Sequence, residues 1–133
     1  MARQVFTLAK VSTMPITTMQ ILPFILALAA SNTFMTVAWY AHLRDLNDKP
    51  WYIAAIISWG IALFEYLIQV PANRYGFQFM TLAQLKITQE IISLAVFIPF
   101  AVLYMKNKIT WNYLAACGCL ILAAILIFQE NQP

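Results

Sequence analysis

Two carboxyl groups inside apolar stretches are the side chains best placed to do chemistry. Glu65 and Glu90 each interrupt a hydrophobic run, where an ionisable group is costly and marks an ion or substrate pathway. Desolvation would favour the neutral acid, which can exchange a proton against a cationic or polar substrate. The alternative is structural: Glu65 pairs with Lys86 or Arg74, and Glu90 pairs with Lys86 one helical turn away.

Polar and small residues accompany Glu65 at the spacing of one helix face. Together with Glu65, the residues Ser58, Ala62 and Gln69 follow one another at intervals of three or four residues. This face must contact protein or water because lipid offers no hydrogen bonds. In an antiparallel hairpin the end of one span and the start of the next lie at the same depth. We therefore expect one polar gathering near a membrane surface. Its members would be Glu65, Gln69, Asn73, Arg74, Lys86, Gln89 and Glu90.

A second group of candidates lies nearer the N-terminus. Asn32 and Thr36 are one helical turn apart and share a face, and the aromatic pair Trp39 and Tyr40 follows. These side chains could line a pocket; Asn and Thr equally serve as hydrogen-bonding groups between membrane helices. The single His42 is expected to be a surface or capping residue.

The sequence offers no pattern for other kinds of site. Its three glycines form no phosphate-binding loop, and no nucleophile–base arrangement or His/Cys metal spacing is present. Cys117 and Cys119 would point to nearly opposite sides of a helix and are expected to be buried small hydrophobes. We therefore predict no enzymatic activity, no metal and no cofactor.

The composition limits the architecture that positions these residues. The chain has 133 residues, 62% hydrophobic and 10% charged, with a mean hydropathy of +0.73. A soluble domain carries about 25% charged residues, and so short a chain could not bury this much apolar surface in one core. A disordered chain is excluded too, and a net charge of +3 without a basic stripe argues against nucleic-acid binding. An integral membrane protein is predicted.

Four apolar stretches have the length of about 20 residues that a helix needs to cross a bilayer. They predict an all-α fold, a four-helix transmembrane bundle with spans at about residues 21–41, 51–70, 87–105 and 109–128. Residues 1–19 would be a basic arm (an interfacial helix, a targeting remnant or a flank of the first span), and residues 130–133 a tail.

Prolines and short polar links mark the ends of these spans. Pro71, Asn73 and Arg74 are predicted to form the hairpin turn that ends the second span. Pro99 should kink the third span. The short link at residues 106–108 should make the third and fourth spans antiparallel neighbours.

The fourth span carries a ridge of small residues. Ala115, Cys119 and Ala123 recur every four residues, a spacing that allows close contact between membrane helices. We expect this ridge to join two copies of the chain in a homodimer or to pack tightly against other helices. The expected surroundings are thus the lipid bilayer and either a second copy or the subunits of a larger membrane complex, without nucleic acid.

Three stretches carry a family resemblance: residues 32–43, 59–76 and 83–90, most specifically the runs Gln-Val-Pro-Ala-Asn-Arg at 69–74 and Gln-Leu-Lys at 84–86. From about residue 18 to 129 the chain closely resembles a small four-helix membrane family of unknown function that is placed in the drug/metabolite transporter superfamily. The resemblance implies a fold like that of the small multidrug resistance transporters, with three helices lining a pocket and the fourth at a dimer contact. Those transporters keep an essential glutamate in the first helix. This first span has no acidic residue, so proton-coupled drug export is not carried over.

Two functions remain open. The first is a small permease with a polar site between spans one to three, in which Glu65 is the proton or cation site and Lys86 and Glu90 tune it. The further site candidates are Asn32, Trp39 and Tyr40, which would line the path, and Gln69 and Gln89. The second is a non-transporting accessory subunit of a larger membrane complex, which the missing first-helix acid favours.

The membrane and the topology are less determined by the sequence. We expect a bacterial inner membrane, with an organellar membrane (mitochondrial or plastid) as the alternative. Lysines and arginines divide four against four between the two sides, so the positive-inside rule leaves the orientation open.

Overall fold

The computed structural model describes residues 17–130. Over this range the chain forms four long helices and no β-strand: α1 (Thr18–Asp45), α2 (Trp51–Gly76), α3 (Leu82–Tyr104) and α4 (Trp111–Gln129). Each helix is long and apolar enough to cross a membrane. The predicted all-α fold with four transmembrane helices is confirmed, and the chain is an integral multi-pass membrane protein.

The two predicted terminal segments fall almost wholly beyond these limits. Residues 1–16 of the basic arm and residues 131–133 of the tail lie outside the described residues. Thr18 and Met19, which were assigned to the arm, instead begin α1. The Thr17 amide donates to the Gln20 side-chain oxygen at 3.3 Å, an N-terminal cap that starts the helix ahead of residue 21.

The ends of α1, α2 and α3 differ from the predicted spans. α1 continues to Asp45 rather than 41 and α2 to Gly76 rather than 70, while α3 begins at Leu82 rather than 87. The predicted hairpin turn at Pro71, Asn73 and Arg74 is therefore wrong, since all three residues lie within α2. A proline removes one backbone hydrogen bond, which membrane helices tolerate.

The early start of α3 has a local cause. Thr81 is the cap residue: its hydroxyl accepts from the Gln84 amide at 3.2 Å, and its own amide donates to the Gln84 side chain at 3.1 Å. These two reciprocal hydrogen bonds give partners to two backbone N–H groups that would otherwise be unpaired at the start of the helix. The first residues of α3, which the sequence places outside the third span, therefore fold as part of the helix.

α1 lies at the centre of the bundle. It packs along both α2 and α3, whereas α4 packs on α3. The expected contact between the third and fourth helices is present. α2 and α3 make no extended contact with each other. In a simple hairpin α3 would pack along α2, but here α1 lies between them.

A small hydrophobic core lies where the start of α1, the end of α2 and the start of α3 converge. It contains Phe24, Leu28, Ala72, Met80, Leu85 and Ile92. Gly76 lies at the narrowest point: a Cβ there would come within 2.8 Å of Phe24 Cζ and 2.9 Å of Leu85 Cδ1. Glycine is thus required for the close approach of three helices.

Two of the helices contain wider turns at the end of the bundle opposite the hydrophobic core. Val37–Ala41 in α1 and Phe100–Tyr104 in α3 are π-helical, a geometry that often accompanies functional sites. The second segment directly follows Pro99, the residue expected to distort this helix. At the end of the wide turn of α3, the Tyr104 carbonyl accepts from Arg44 and the Tyr104 hydroxyl donates to Asp45, so these bonds connect α1 to α3.

α4 is the most peripheral helix. Among its residues none is fully buried. Tyr113, Cys117 and Leu120 are half-buried and lie on one face, whereas Ala115 and Cys119 are exposed on another. Two members of the predicted small-residue ridge therefore face away from the bundle, and Ala123 is half-buried. Of the two thiols expected to be buried, Cys117 is half-buried and Cys119 exposed. The outer face of α4 is free to meet lipid or another protein.

Candidate functional site

A buried polar ladder joins α1 to α2. The Ser31 hydroxyl contacts both the Leu28 carbonyl, at 3.1 Å, and the Gln69 side-chain oxygen, and the Gln69 amide group donates to Asn73 at 3.0 Å. Ser31 and Gln69 are 0% and 7% exposed. We call Ser31, Gln69 and Asn73 the ladder. In a bilayer such bonds replace those that water would make.

Glu65 lies one helical turn from Gln69 on the same face of α2. It is 5% exposed, and its Oε2 has no hydrogen-bond partner among the described residues. α2 places it fourteen residues after Trp51 and eleven before Gly76, or about 21 Å and 16 Å along the axis at 1.5 Å per residue. Glu65 is therefore near the middle of helix α2.

A cavity of about 260 Å³ opens between α1, α3 and α4. Its walls combine aromatic rings with polar groups: Trp39, Tyr40, Phe97 and Tyr113 supply the rings, and Thr36, Glu90 and Ser93 the polar side chains. The rings follow one another in a row. Their centroids are 6.2 Å apart for Trp39 and Tyr40, 5.2 Å for Tyr40 and Phe97, and 6.3 Å for Phe97 and Tyr113. We call this the aromatic cavity.

The widened turn of α1 contributes directly to this cavity. Trp39 and Tyr40 both belong to the π-helical segment Val37–Ala41. A wider turn changes the direction in which successive side chains leave the helix. Both rings line the cavity, although Trp39 remains largely exposed.

Lys86 and Glu90 form the ion pair that their spacing on α3 predicts. The Lys86 side chain is 67% exposed and that of Glu90 42% exposed. Glu90 lines the aromatic cavity and Lys86 does not. The Glu90 carboxylate thus pairs with an exposed ammonium group, and the same residue lines the aromatic cavity.

The single polar gathering predicted for the hairpin is not formed, because α1 separates α2 from α3. The ladder belongs to the α1–α2 contact, and the Lys86–Glu90 pair to α3. Arg74 is exposed and Gln89 is half-buried. Neither predicted partner, Lys86 or Arg74, forms an ion pair with Glu65 in residues 17–130.

The first-helix candidates divide between the two regions. Asn32 is buried and donates to the Leu28 carbonyl of its own helix at 2.8 Å. Thr36 is buried as well and lines the aromatic cavity. α1 therefore presents polar groups to the ladder and to the cavity from neighbouring turns.

Three cavity residues were missed as candidates: Ser93, Phe97 and Tyr113. Ser93 could have been included, since it lies one turn from Glu90. Phe97 and Tyr113 carry no sequence signal beyond an aromatic side chain in or beside an apolar span, where aromatic residues are common. The Tyr113 hydroxyl is buried and has no hydrogen-bond partner among residues 17–130.

No group of three metal-binding side chains comes together in the part of the chain that the structure describes. The titratable side chains near the two regions are Glu65, one turn from Gln69 of the ladder, and Glu90, Tyr40 and Tyr113, which line the cavity. Lys86 pairs with Glu90 from outside the cavity.

Comparison with known proteins identifies the family. Neither the curated proteins nor the solved structures contain a match to this chain. A family model described as "Putative member of DMT superfamily (DUF486)" matches residues 24–128. That range contains α2, α3 and most of α1 and α4, together with both polar regions and the runs at 69–74 and 84–86. The chain belongs to this DUF486 family.

Proposed function

We propose that the protein is a small membrane transporter that uses Glu65 as its proton or cation site. The observation that carries this proposal is the buried, unpartnered carboxyl oxygen of Glu65 near the middle of a membrane helix. Asn32 would line the path from α1, and Gln69 is the neighbouring polar group one turn away on α2. Trp39, Tyr40 and Glu90 line the aromatic cavity between α1, α3 and α4 and would act on the substrate rather than on the Glu65 carboxyl.

The cost of burying a carboxyl group supports this role. A buried charge in a protein is ordinarily paired or coordinates a cation. Glu65 has no ionic partner among the described residues, whereas the nearby Gln69 bonds to both Ser31 and Asn73. A proton or cation that comes and goes would complete the coordination that the protein itself leaves open.

The test measures coupled proton movement in vesicles that contain the full chain and an internal pH dye. Choline, arginine, glutamate and glucose are added separately, so that cationic, anionic and neutral solutes are each represented. At least one should change the internal pH. Glu65→Gln should abolish the response because an amide cannot exchange the proton, and Glu130→Gln, at the exposed end of α4, should preserve it. An equal response from the Glu65 variant, or none with any solute, would overturn the proposal.

We further propose that two copies meet through the outer face of α4. The exposed Ala115 and Cys119 support this contact, as does the absence of a Cβ at Gly118, which has open space around it. The two cysteines provide a matched pair. Cys117→Ala, which retains Cys119, should give cross-linked dimers in membranes, and Cys119→Ala should give few. Equal cross-linking by both would exclude this face.

The alternative predicted from the sequence is an accessory subunit of a larger membrane complex. The native mass of the protein extracted from its own membrane separates the two. A mass near two chains supports a transporter dimer, and a mass of several hundred kilodaltons supports the subunit.

A further inference from the structure

The aromatic cavity has the chemistry of a cation site. Four rings, from Trp39, Tyr40, Phe97 and Tyr113, line the same cavity as Glu90. The negative face of an aromatic ring attracts a cation, most strongly where the cation has lost its water. An anionic ligand would be repelled by Glu90, and a neutral apolar ligand would form no charged interaction with this carboxylate.

The size of the cavity and one hydroxyl group narrow the ligand further. About 260 Å³ lies below the range of roughly 300–1,000 Å³ that is typical of sites for drug-sized molecules. The buried Tyr113 hydroxyl lacks a hydrogen-bond partner within residues 17–130. A ligand with a hydroxyl or carbonyl group could provide that partner. The cavity therefore suits a small cation that carries one polar group.

Lys86 already supplies a cation to Glu90. Its ammonium group pairs with the Glu90 carboxylate from outside the cavity, one helical turn toward the start of α3. Because the Lys86 side chain is largely exposed and lies close to the start of α3, it can leave the carboxylate at little cost. A second cation entering from the cavity would compete with it for the same carboxylate.

We propose that the aromatic cavity binds a small organic cation bearing a hydroxyl or carbonyl group, and that this cation displaces Lys86 from Glu90. The proposal rests on the transport function above and names the class of its substrate. Lys86 acts as a tethered competitor that holds the carboxylate while the cavity is empty. It is thus a positioning residue, and Glu90 is the binding residue.

The test is equilibrium binding of radiolabelled choline to the purified full chain in detergent. Choline should bind with measurable affinity. Its neutral carbon analogue 3,3-dimethylbutan-1-ol should fail to compete, because it has the same shape without the charge. Tetramethylammonium, which lacks the hydroxyl, should compete several-fold more weakly. Absence of choline binding, or equal competition by the neutral analogue, overturns the proposal.

Substitutions at the ion pair give opposite expectations for its two members. Glu90→Gln should weaken choline binding by about tenfold or more, as loss of a charged partner does. Lys86→Met should strengthen it by about twofold or more, because the competitor is gone. Lys108→Met, a change of the same charge at an exposed position, should leave binding unchanged. Weaker binding in the Lys86 variant would overturn the competition, and thermal unfolding of each variant verifies that it folds.

A ring substitution tests the aromatic wall separately. Phe97→Leu keeps the position apolar but removes the ring, and should weaken choline binding by about two- to thirtyfold. An unchanged affinity would exclude a cation–π site.

The two proposals fail in different ways. Choline binding without solute-driven proton movement would remove the transport function and keep the site. Proton movement driven only by a non-cationic solute would keep the transport function and remove the cation site.

Discussion

The ladder and the aromatic cavity lie on neighbouring turns of α1 but differ in how their polar groups are satisfied. In the ladder, Ser31, Gln69 and Asn73 bond to one another in a nearly dry contact between two helices. At the cavity, Glu90 is only half-buried, its partner Lys86 is exposed, and the Tyr113 hydroxyl has no bond among the described residues.

This difference indicates that the ladder stabilises the fold, whereas the cavity is suited to exchange a ligand. Buried groups that bond to each other fix the arrangement of their helices. Groups that are half-exposed or unpaired can change partners at low cost. Glu65 combines both properties, since it has the burial of the ladder and an oxygen as unpartnered as the Tyr113 hydroxyl. We therefore expect substitutions in the ladder to change stability, and substitutions at the cavity to change binding.

The largest expected effect is at Gly76, where the helices that carry both regions converge. Gly76→Ala should lower the free energy of unfolding by about 1–3 kcal/mol, because the added Cβ overpacks the buried Phe24 and Leu85. Denaturant unfolding in detergent measures it. Gly60→Ala is the matched control on the same helix: its Cβ meets nothing within 4 Å, so it should be neutral or stabilising by up to about 1 kcal/mol. An equal loss of unfolding free energy in the two variants would contradict the close packing of Gly76 against Phe24 and Leu85.

A double-mutant cycle between Ser31→Ala and Gln69→Met should give a smaller effect. The coupling energy should be about 0.6 kcal/mol and at most about 1.7 kcal/mol, as for hydrogen bonds between membrane helices. Pairing Gln69→Met with Thr33→Ala provides the control, because the Thr33 hydroxyl bonds to Ala29 of its own helix at 2.8 Å. A coupling of zero for Ser31 would remove the ladder from the forces that hold α1 on α2.

The smallest effect on stability should come from Lys86→Met. An exposed i,i+4 ion pair contributes about 0.3–0.5 kcal/mol, so thermal unfolding should change little while choline affinity rises. This result would sharpen the contrast between the two regions. A loss of stability above about 1 kcal/mol would instead make the Lys86–Glu90 pair a structural element like the ladder.

The sequence predicted the number of helices because length and apolar content alone decide whether a segment crosses a bilayer. It also predicted the Lys86–Glu90 pair, because the spacing on one helix is sufficient to bring these side chains together. The early start of α3 was readable too, since Thr81 and Gln84 have the spacing of a capping box.

The neighbours of each helix were not predictable in the same way. The hairpin expectation placed Glu65 beside Lys86, but the contact of α1 with both α2 and α3 separates them. That choice depends on how Phe24, Gly76 and Leu85 fit together, which no periodicity expresses. The aromatic cavity depends further on the π-helical turn that carries Trp39 and Tyr40, and nothing in the local sequence announces that turn.

The burial of Glu65 against α1 also bears on how the chain enters the membrane. A charged side chain at the bilayer centre costs a single inserting helix roughly 2.5–3.5 kcal/mol, and α2 carries the polar Gln69 one turn away. α1 precedes α2 in the chain and offers Ser31 to Gln69. The first two helices are therefore expected to partition into lipid as a pair, so that weakening their contact would lower the yield of inserted protein before it altered any activity.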